Sequence, residues 1–569
     1  MTTNAAIHSS LWGENSLPLR PASQVMKLER LGAYHQSRLS FMRTLVRRIF
    51  RERWKIEPSV FNLDNDGYGT VVYEVQAPHG LFSFVLFSDY LSPDERNDRV
   101  IATKWDLTMA LVEGKVDQDY IEKLRENVPK QEAGRVDARV FVLSRANRSA
   151  RNFDYVVNQL AVGEQPDVAK IVEVGYLYRT TAVYGSGKLG MADWEKVREK
   201  HKDFARPFAG EMFVCLMLRN FSLLQVEHIA RHKTPEKFTP MKPEIKRYFG
   251  IGNSTGLGMA PYLVNHPLLI NQWIEMRELA LARVRTLGSV NDQVRETISQ
   301  LIDRSAQHTL ETQTEDAWQT NNNKAVIEDM ACLKNRIERG FDSWNELVEY
   351  SEQHCSLQGQ EMLVSCMLEI YPELVDELED FHSAEEFLDL DPLMPATQLK
   401  DIIEKRYDWA LAIDFDAEGA RETYWYRSEE KMEPRLGSVA DIEGKKKQMA
   451  LGVGYAVRKC YNQLIDYIAQ NPDDTTARFM VAHPKLRGIV RRIQGMNRCV
   501  YGDIQANLLD REVLPMHLLR AKLAFFGVSK FDPRSRLWVR NTMFQGAPLL
   551  EEIGQAFNDD WFMPLAPKQ

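Results

Sequence analysis

The sequence predicts an α+β protein: two lobes built on mainly antiparallel sheets, flanking a largely helical middle region. Three observations carry this expectation. Strand-like runs joined by Gly- and Pro-containing turns cluster towards both ends of the chain. Between them, from about residue 207 to 390, apolar residues recur at helical spacing. The first two hundred residues show no regular βαβ alternation, which argues against a Rossmann or TIM-barrel fold. A chain of 569 residues exceeds what one hydrophobic core usually organises, so several lobes are expected.

Residues 1–25 contain Pro18 and Pro21, lack periodicity and read as an extended N-terminal arm. From Met26 the apolar residues Leu28, Leu31, Met42, Leu45, Val46, Ile49 and Phe50 fall mainly at three- and four-residue spacings, which predicts helix. The opposite face carries Arg38, Arg43, Arg47, Arg48, Arg51 and Arg53. Such a run reads as a solvated face; the sharper reading has some of these arginines meeting an acidic partner subunit or an anionic ligand.

Tyr68-Gly-Thr-Val-Val-Tyr-Glu-Val75 and Leu81-Phe-Ser-Phe-Val-Leu-Phe87 are strands around the turn Ala77-Pro-His-Gly80. Residues 99–102, 139–143 and 171–174 are further strand candidates, with a helix at 153–160. Residues 26–205 thus form the first α+β lobe. Residues 206–395 form the helical region, with helices expected at 212–224, 262–287, 290–305, 325–338, 344–354 and 360–378. The acidic stretch 369–391, closed by Pro392 and Pro395, marks its end. In 396–569, the second α+β lobe, β character returns at 409–415 and 422–426, followed by helices at 441–470 and 514–525. From Gly80, an aromatic strand (Phe82, Phe84, Phe87) runs through an acidic turn to Arg96. From Gly419, another (Tyr424, Trp425, Tyr426) runs through an acidic turn to Arg435 at the same interval. The match suggests an internal duplication.

Composition bounds the function. With 44% hydrophobic and 27% charged residues this is an ordinary globular chain. A net charge of −8 argues against a dedicated nucleic-acid binder. No stretch approaches the roughly 18 apolar residues of a spanning helix, and Met1-Thr-Thr-Asn-Ala-Ala6 lacks the basic and apolar regions of a secretory signal. The expectation is a cytoplasmic protein without a membrane partner. Cys215, Cys332, Cys355, Cys366, Cys460 and Cys499 form no C-x-x-C pair, which predicts reduced, mostly buried thiols.

Four segments carry candidate chemistry. Gly250-Ile-Gly-Asn-Ser-Thr-Gly-Leu-Gly-Met-Ala-Pro261 combines backbone freedom with hydrogen-bonding side chains, so Gly252, Asn253, Ser254, Thr255 and Gly256 are candidate ligand-binding residues. Its plain alternative is a connection between two helices, with the glycines at a cap and a tight turn. A second glycine loop, Tyr184-Gly-Ser-Gly-Lys-Leu-Gly-Met-Ala-Asp193, offers Lys188 as a charge partner or base, or else is an exposed turn. In the stretch 424–437, Arg427 and Arg435 offer charge to a ligand, and Glu429 and Glu430 offer acid/base or cation-ligand carboxylates; an ion-paired surface hairpin is the alternative. His228 and His232 lie at i,i+4 on one helix face, the one transition-metal pattern, with no third ligand evident. The reading that unites these is an enzyme acting on a small anionic metabolite in an interlobe cleft. Lys188, Glu429 and Glu430 would be catalytic, and the chemistry a non-redox lyase or group-transfer reaction. No nucleotide or redox-cofactor motif is present; a divalent metal is the one cofactor suggested, and a homodimer is expected on size. The alternatives are a metal-dependent enzyme using His228 and His232, and a non-catalytic ligand-sensing or assembly protein.

Overall fold

Runs of β-branched and aromatic residues set the main sheet, and a long helix with an apolar first half covers it. The computed structural model describes residues 19–95, 104–130, 138–180, 200–256, 264, 266–312, 314–381, 390–415, 423–427, 434–438, 447–449, 453–505, 514–535 and 538–568. The strands are β1 Lys55–Leu63, β2 Gly69–Gln76, β3 Leu81–Ser88, β4 Leu107–Glu113, β5 Val140–Arg148, β6 Tyr176–Thr180, β7 Gly250–Gly256, β8 Thr423–Arg427, β9 Pro434–Ser438, β10 Lys447–Met449, β11 Lys530–Ser535 and β12 Trp538–Met543. The helices that bear on the argument are α1 Phe41–Arg51, α2 Phe153–Ala161, α3 Ala209–Lys233, α4 Pro267–Arg285, α5 Asp292–Glu311, α6 Leu357–Ile370 and α7 Leu514–Phe526. The fold is α+β, as the sequence predicts. Among the described residues no helix is long and apolar enough to cross a membrane.

The chain divides into two compact units, each drawn from three stretches: Met1–His35, Leu257–Glu296 and Asn335–Leu523 in the first, and Gln36–Gly256, Thr297–Lys334 and Ala524–Gln569 in the second. The second unit holds a nine-stranded sheet in the order β1-β2-β3-β4-β5-β6-β7-β12-β11. Every neighbouring pair is antiparallel except β6 and β7. Val72, Val85, Phe87, Ala110, Val112 and Leu143 share a core with Ile121, Leu124 and Val128. The helix α3 packs along β4 to β7 and buries Met212 through Leu218 without a polar break, as a stretch that is apolar on every side must. Midway along it, the fully buried Arg219 donates to the carbonyls of Phe249 (2.7 Å), Arg247 (3.0 Å), Ala547 (2.7 Å) and Pro548 (3.0 Å). Arg219 therefore ties three segments of this unit together.

The first unit is mainly helical. One of its cores gathers Leu399, Ile403, Val457, Leu464, Phe479, Val490 and Ile493. Its three-stranded antiparallel sheet has the order β10-β8-β9. The hairpin expected at 424–437 is present, running from Thr423 opposite Ser438 to Arg427 opposite Pro434. Of the proposed duplication, Arg96 and Gly419 lie outside the described residues, and β3 and β8 belong to sheets of different size.

Several local expectations are corrected. Residues 171–174 end a helix, Val168–Val174, that starts under an Asp167 cap and stops at Gly175 with φ 74°; the strand follows, as β6. Residues 408–411 form a helical turn in place of the expected strand. The expected strand at 99–102 lies outside the described residues. The basic face at α1 is solvated only at its end, where Arg51 and Arg53 are exposed; Arg48 is buried, and Arg38, Arg43 and Arg47 are buried and converge on Asp559 at 3.0–3.1 Å. Their acidic partner is thus this chain's own C-terminal stretch. All six cysteines are free thiols, with Cys215, Cys366 and Cys460 buried and the others partly so.

Candidate functional site

The second unit contains a cleft of about 600 Å³ where the β1–β2 turn, the end of β5 and the helices α2 and α3 meet. The turn is dictated by Asp64-Asn65-Asp66-Gly67. Asp64 Oδ1 accepts from the amides of Asp66 (3.0 Å) and Tyr68 (2.8 Å), and Gly67 takes φ 80°. A Cβ on Gly67 would lie 2.8 Å from Ile229, so the turn packs directly on α3. Gln225, also on α3, donates to the Gly67 carbonyl (2.7 Å) and to Ser88 Oγ (3.0 Å).

Arg148, the last residue of β5, lines the cleft and is buried. Its guanidinium lies over the rings of Phe153 (4.3 Å) and Tyr68 (5.0 Å), both of which line the cleft too. Its Nε donates to Tyr178 Oη at 3.1 Å, and Tyr178 in turn donates to Gln225 Oε1 at 2.8 Å. The backbone amide of Arg148 donates to Asp106 Oδ2 at 2.9 Å. Burial opposes the guanidinium charge, but the oxygens of Tyr178 and Tyr68 and the Asp106 carboxylate outweigh it and raise the pKa above the ordinary arginine value. The charge is therefore fixed in place and in protonation. Arg148 Nη2, although buried, has no hydrogen-bond partner.

Above this floor of Arg148, Phe153 and Val157, the rim is polar and exposed: Asn65, Asp66, Asp154, Asn158, His232 and Lys233. Lys233 Nζ donates to Asn158 Oδ1 at 2.6 Å. The arrangement offers one rigid cation below, one flexible cation at the edge, and carboxylates and amides around them. It can grip an anionic group and address the polar remainder of the same molecule.

The residues singled out from sequence fall in different places. Gly250–Gly256 is the strand β7, not a turn between helices, because β6 on one side and β12 on the other supply ladder partners. Its glycines serve close packing: a Cβ on Gly250 would meet the Met543 carbonyl at 2.2 Å, and one on Gly252 the Tyr176 ring at 2.6 Å. Asn253 is buried and donates to the Thr180 carbonyl at 2.9 Å. Ser254, Thr255 and Gly256 continue the ladder opposite Arg540, Val539 and Trp538. Arg427 and Arg435 lie on β8 and β9 in the other unit. Lys188, Glu429 and Glu430 lie outside the described residues. His228 and His232 are brought together, with ring centroids 4.3 Å apart. Each uses one ring nitrogen on a carbonyl, His228 on Asp64 and His232 on His228, both at 2.8 Å. Among the described residues no group of three or more His, Cys, Asp or Glu side chains could hold a metal ion. His232 does line the Arg148 cleft. Comparison with protein-family models, with curated proteins and with solved structures finds no match to this chain.

Sequence reasoning passed over Arg148, Tyr178 and Gln225. A local signal existed for the turn alone: Asp-Asn-Asp-Gly between two strand-like runs is a hairpin signature.

Proposed function

We propose that the protein acts on a small anionic metabolite bound in the Arg148 cleft. The observation that supports this is the buried guanidinium, lying over two aromatic rings and bonded to a tyrosine hydroxyl, with Nη2 buried and unengaged in a residue that lines the cleft. A buried arginine donor without a partner suits a ligand oxygen. A carboxylate or phosphoryl group would accept from Nη2 and from Lys233 Nζ, while Asn65, Asp66, Asp154 and Asn158 address the rest of the molecule. His232, Asp66 and Asp154 place titratable groups beside the bound anion, as lyase or group-transfer chemistry requires. Lys188, Glu429, Glu430 and β7 take no part in this reading. A cytoplasmic location belongs to the same proposal and accords with six free thiols.

The test is a thermal-shift and calorimetric screen of small carboxylates and phosphate monoesters, followed by Arg148→Met and Lys233→Ala. A charge-assisted hydrogen bond contributes about 1.5–3 kcal/mol, so Arg148→Met should weaken any hit by about 10- to 100-fold. Lys233 is exposed, so Lys233→Ala should fold normally and weaken the same ligand by several-fold. A panel in which no ligand binds, or in which both variants bind as the parent does, removes the cleft as the site.

A further inference from the structure

The first unit contains a second polar centre, wholly interior and independent of the Arg148 cleft. The residues that build it come from the N-terminal segment, α4 and α6. Arg20 donates through Nε and Nη2 to both oxygens of Glu278 at 2.7 Å, and through Nη1 to Glu361 Oε1 at 2.9 Å. Arg30 reaches the same Glu361 oxygen at 2.7 Å, and Arg277 Nη2 lies 2.7 Å from Glu361 Oε2. The side chains of Arg277, Glu278 and Glu361 are fully buried, and those of Arg20 and Arg30 nearly so. Three guanidinium groups face two carboxylates, so the network carries one excess positive charge in the interior of the unit.

Donors are also left over. Arg277 Nε, Tyr34 Oη and Ser365 Oγ are buried without hydrogen-bond partners; Arg277 Nη1 lacks a hydrogen bond too but is ion-paired with Glu278 Oε1 at 3.6 Å, and Glu361 Oε2 is an acceptor without a hydrogen bond. They belong together: Arg277 lies over the Tyr34 ring at 4.1 Å, and Ser365 follows Glu361 by one turn on the same face of α6. His35, next to Tyr34, adds an acceptor. Burial and then the nearby Arg520 push its imidazole down to about 3, and the ring's bond to the Gln358 backbone leaves Nε2 without a partner. Buried polar atoms are nearly always satisfied, so several orphans on residues linked in this way point to a partner that they share. The excess charge and the predominance of donors decide what it is.

We propose that the first unit binds a compact oxyanion at Tyr34, Arg277 and Ser365, with His35 Nε2 accepting from a hydroxyl of that anion, as hydrogen phosphate supplies. Three orphaned donors, Arg277 Nε, Tyr34 Oη and Ser365 Oγ, belong to residues of a network with one unit of excess positive charge, and a tetrahedral or planar oxyanion satisfies both conditions at once. Water would satisfy the donors but not the charge.

The experiment uses the full chain, dialysed into chloride and then titrated with inorganic phosphate or acetate at constant ionic strength and pH, with thermal midpoint as the readout. The expected result is a midpoint that rises with the logarithm of phosphate concentration. A rise with acetate alone assigns the site to a carboxylate instead and keeps the oxyanion. Tyr34→Phe and Ser365→Ala each remove one donor without adding volume, and each should reduce the slope at least twofold; the second variant serves if the first does not fold. The rise should persist in Arg148→Met, which separates this centre from the cleft. A midpoint insensitive to both anions, or a slope unchanged in Ser365→Ala, overturns the proposal and leaves water as the occupant.

Discussion

At Gly250 the backbone leaves no room for a side chain. A Cβ there would sit 2.2 Å from the carbonyl oxygen of Met543 and 2.8 Å from Thr542. The carbonyl belongs to β12, whose ladder with β7 fixes Met543 opposite Ile251, so the clash cannot relax by a rotamer change. Overpacking of this kind costs about 3 kcal/mol. Gly250→Ala should therefore lower the unfolding free energy by that amount, read as a lower urea midpoint with an unchanged slope. At Gly288 an added methyl would meet nothing within 4 Å, so Gly288→Ala should stay within about 0.5 kcal/mol of the parent. Equal effects at the two sites would show that β7 does not pack as described. The glycines that attracted attention as ligand contacts thus have a steric reason to be glycine.

Among the elements, the C-terminal stretch 557–566 is held by charge as much as by packing. Asp559 receives Arg38, Arg43 and Arg47 from the region of α1. Burial raises its pKa, but the three arginines prevail and hold the carboxyl down at about 2. Farther along, His308 on α5 contacts the Pro564 and Ser529 carbonyls, and the backbone amide of Ala566 donates to Glu311. Removing one partner of a buried ion cluster costs about 3–5 kcal/mol, because the remaining charges stay desolvated. Asp559→Asn should destabilise by this much and expose the C-terminal stretch to protease; a variant as stable and as resistant as the parent would show that the three arginines satisfy one another through other groups. The same element explains what could be read beforehand. The β2–β3 hairpin and the β8–β9 hairpin were legible because strand, turn and strand are contiguous. The solvated reading of Arg38, Arg43 and Arg47 failed because their counter-ion lies near the opposite end of the chain. The segment 171–174 reads as strand from Ile-Val-Glu-Val, yet the Asp167 cap and Gly175 stop make it helix. In the cleft, the turn at 64–67 is local, but Arg148 meets Tyr178 through the β5–β6 ladder, a pairing of distant segments that no local pattern encodes.

For the whole molecule, the buried histidines and lysines agree on one direction. Burial lowers His35 from 6.5 to about 3, His517 from 6.5 to about 4, Lys522 from 10.5 to about 7 and Lys530 from 10.5 to about 8. Each is a base whose folded pKa lies below its unfolded value. Between those two values the unfolded chain binds more protons than the folded one, so stability rises with pH across each window. The histidines act between about pH 3 and 6.5, the lysines between about 7 and 10.5. Asp559 adds the same sign at lower pH, since its folded pKa of about 2 lies below 3.8. The opposing limb comes from Cys215, Cys460 and Cys499, whose thiols burial raises above 9.0, and from Tyr34, Tyr407 and Tyr501, whose hydroxyls burial raises above 10.0. Above those values the unfolded chain releases protons that the folded one keeps, and stability falls. The expected profile is an optimum near pH 9, displaced to the alkaline side of the usual range of about pH 5–8. Thermal midpoints recorded from pH 5 to 11 should rise to that optimum and then drop. Lys522→Met, which removes a base whose window spans pH 7 to 10.5, should flatten the rise over that interval while leaving the acid limb in place. A parent profile that peaks near neutrality would mean that these lysines keep ordinary proton affinities in the folded protein.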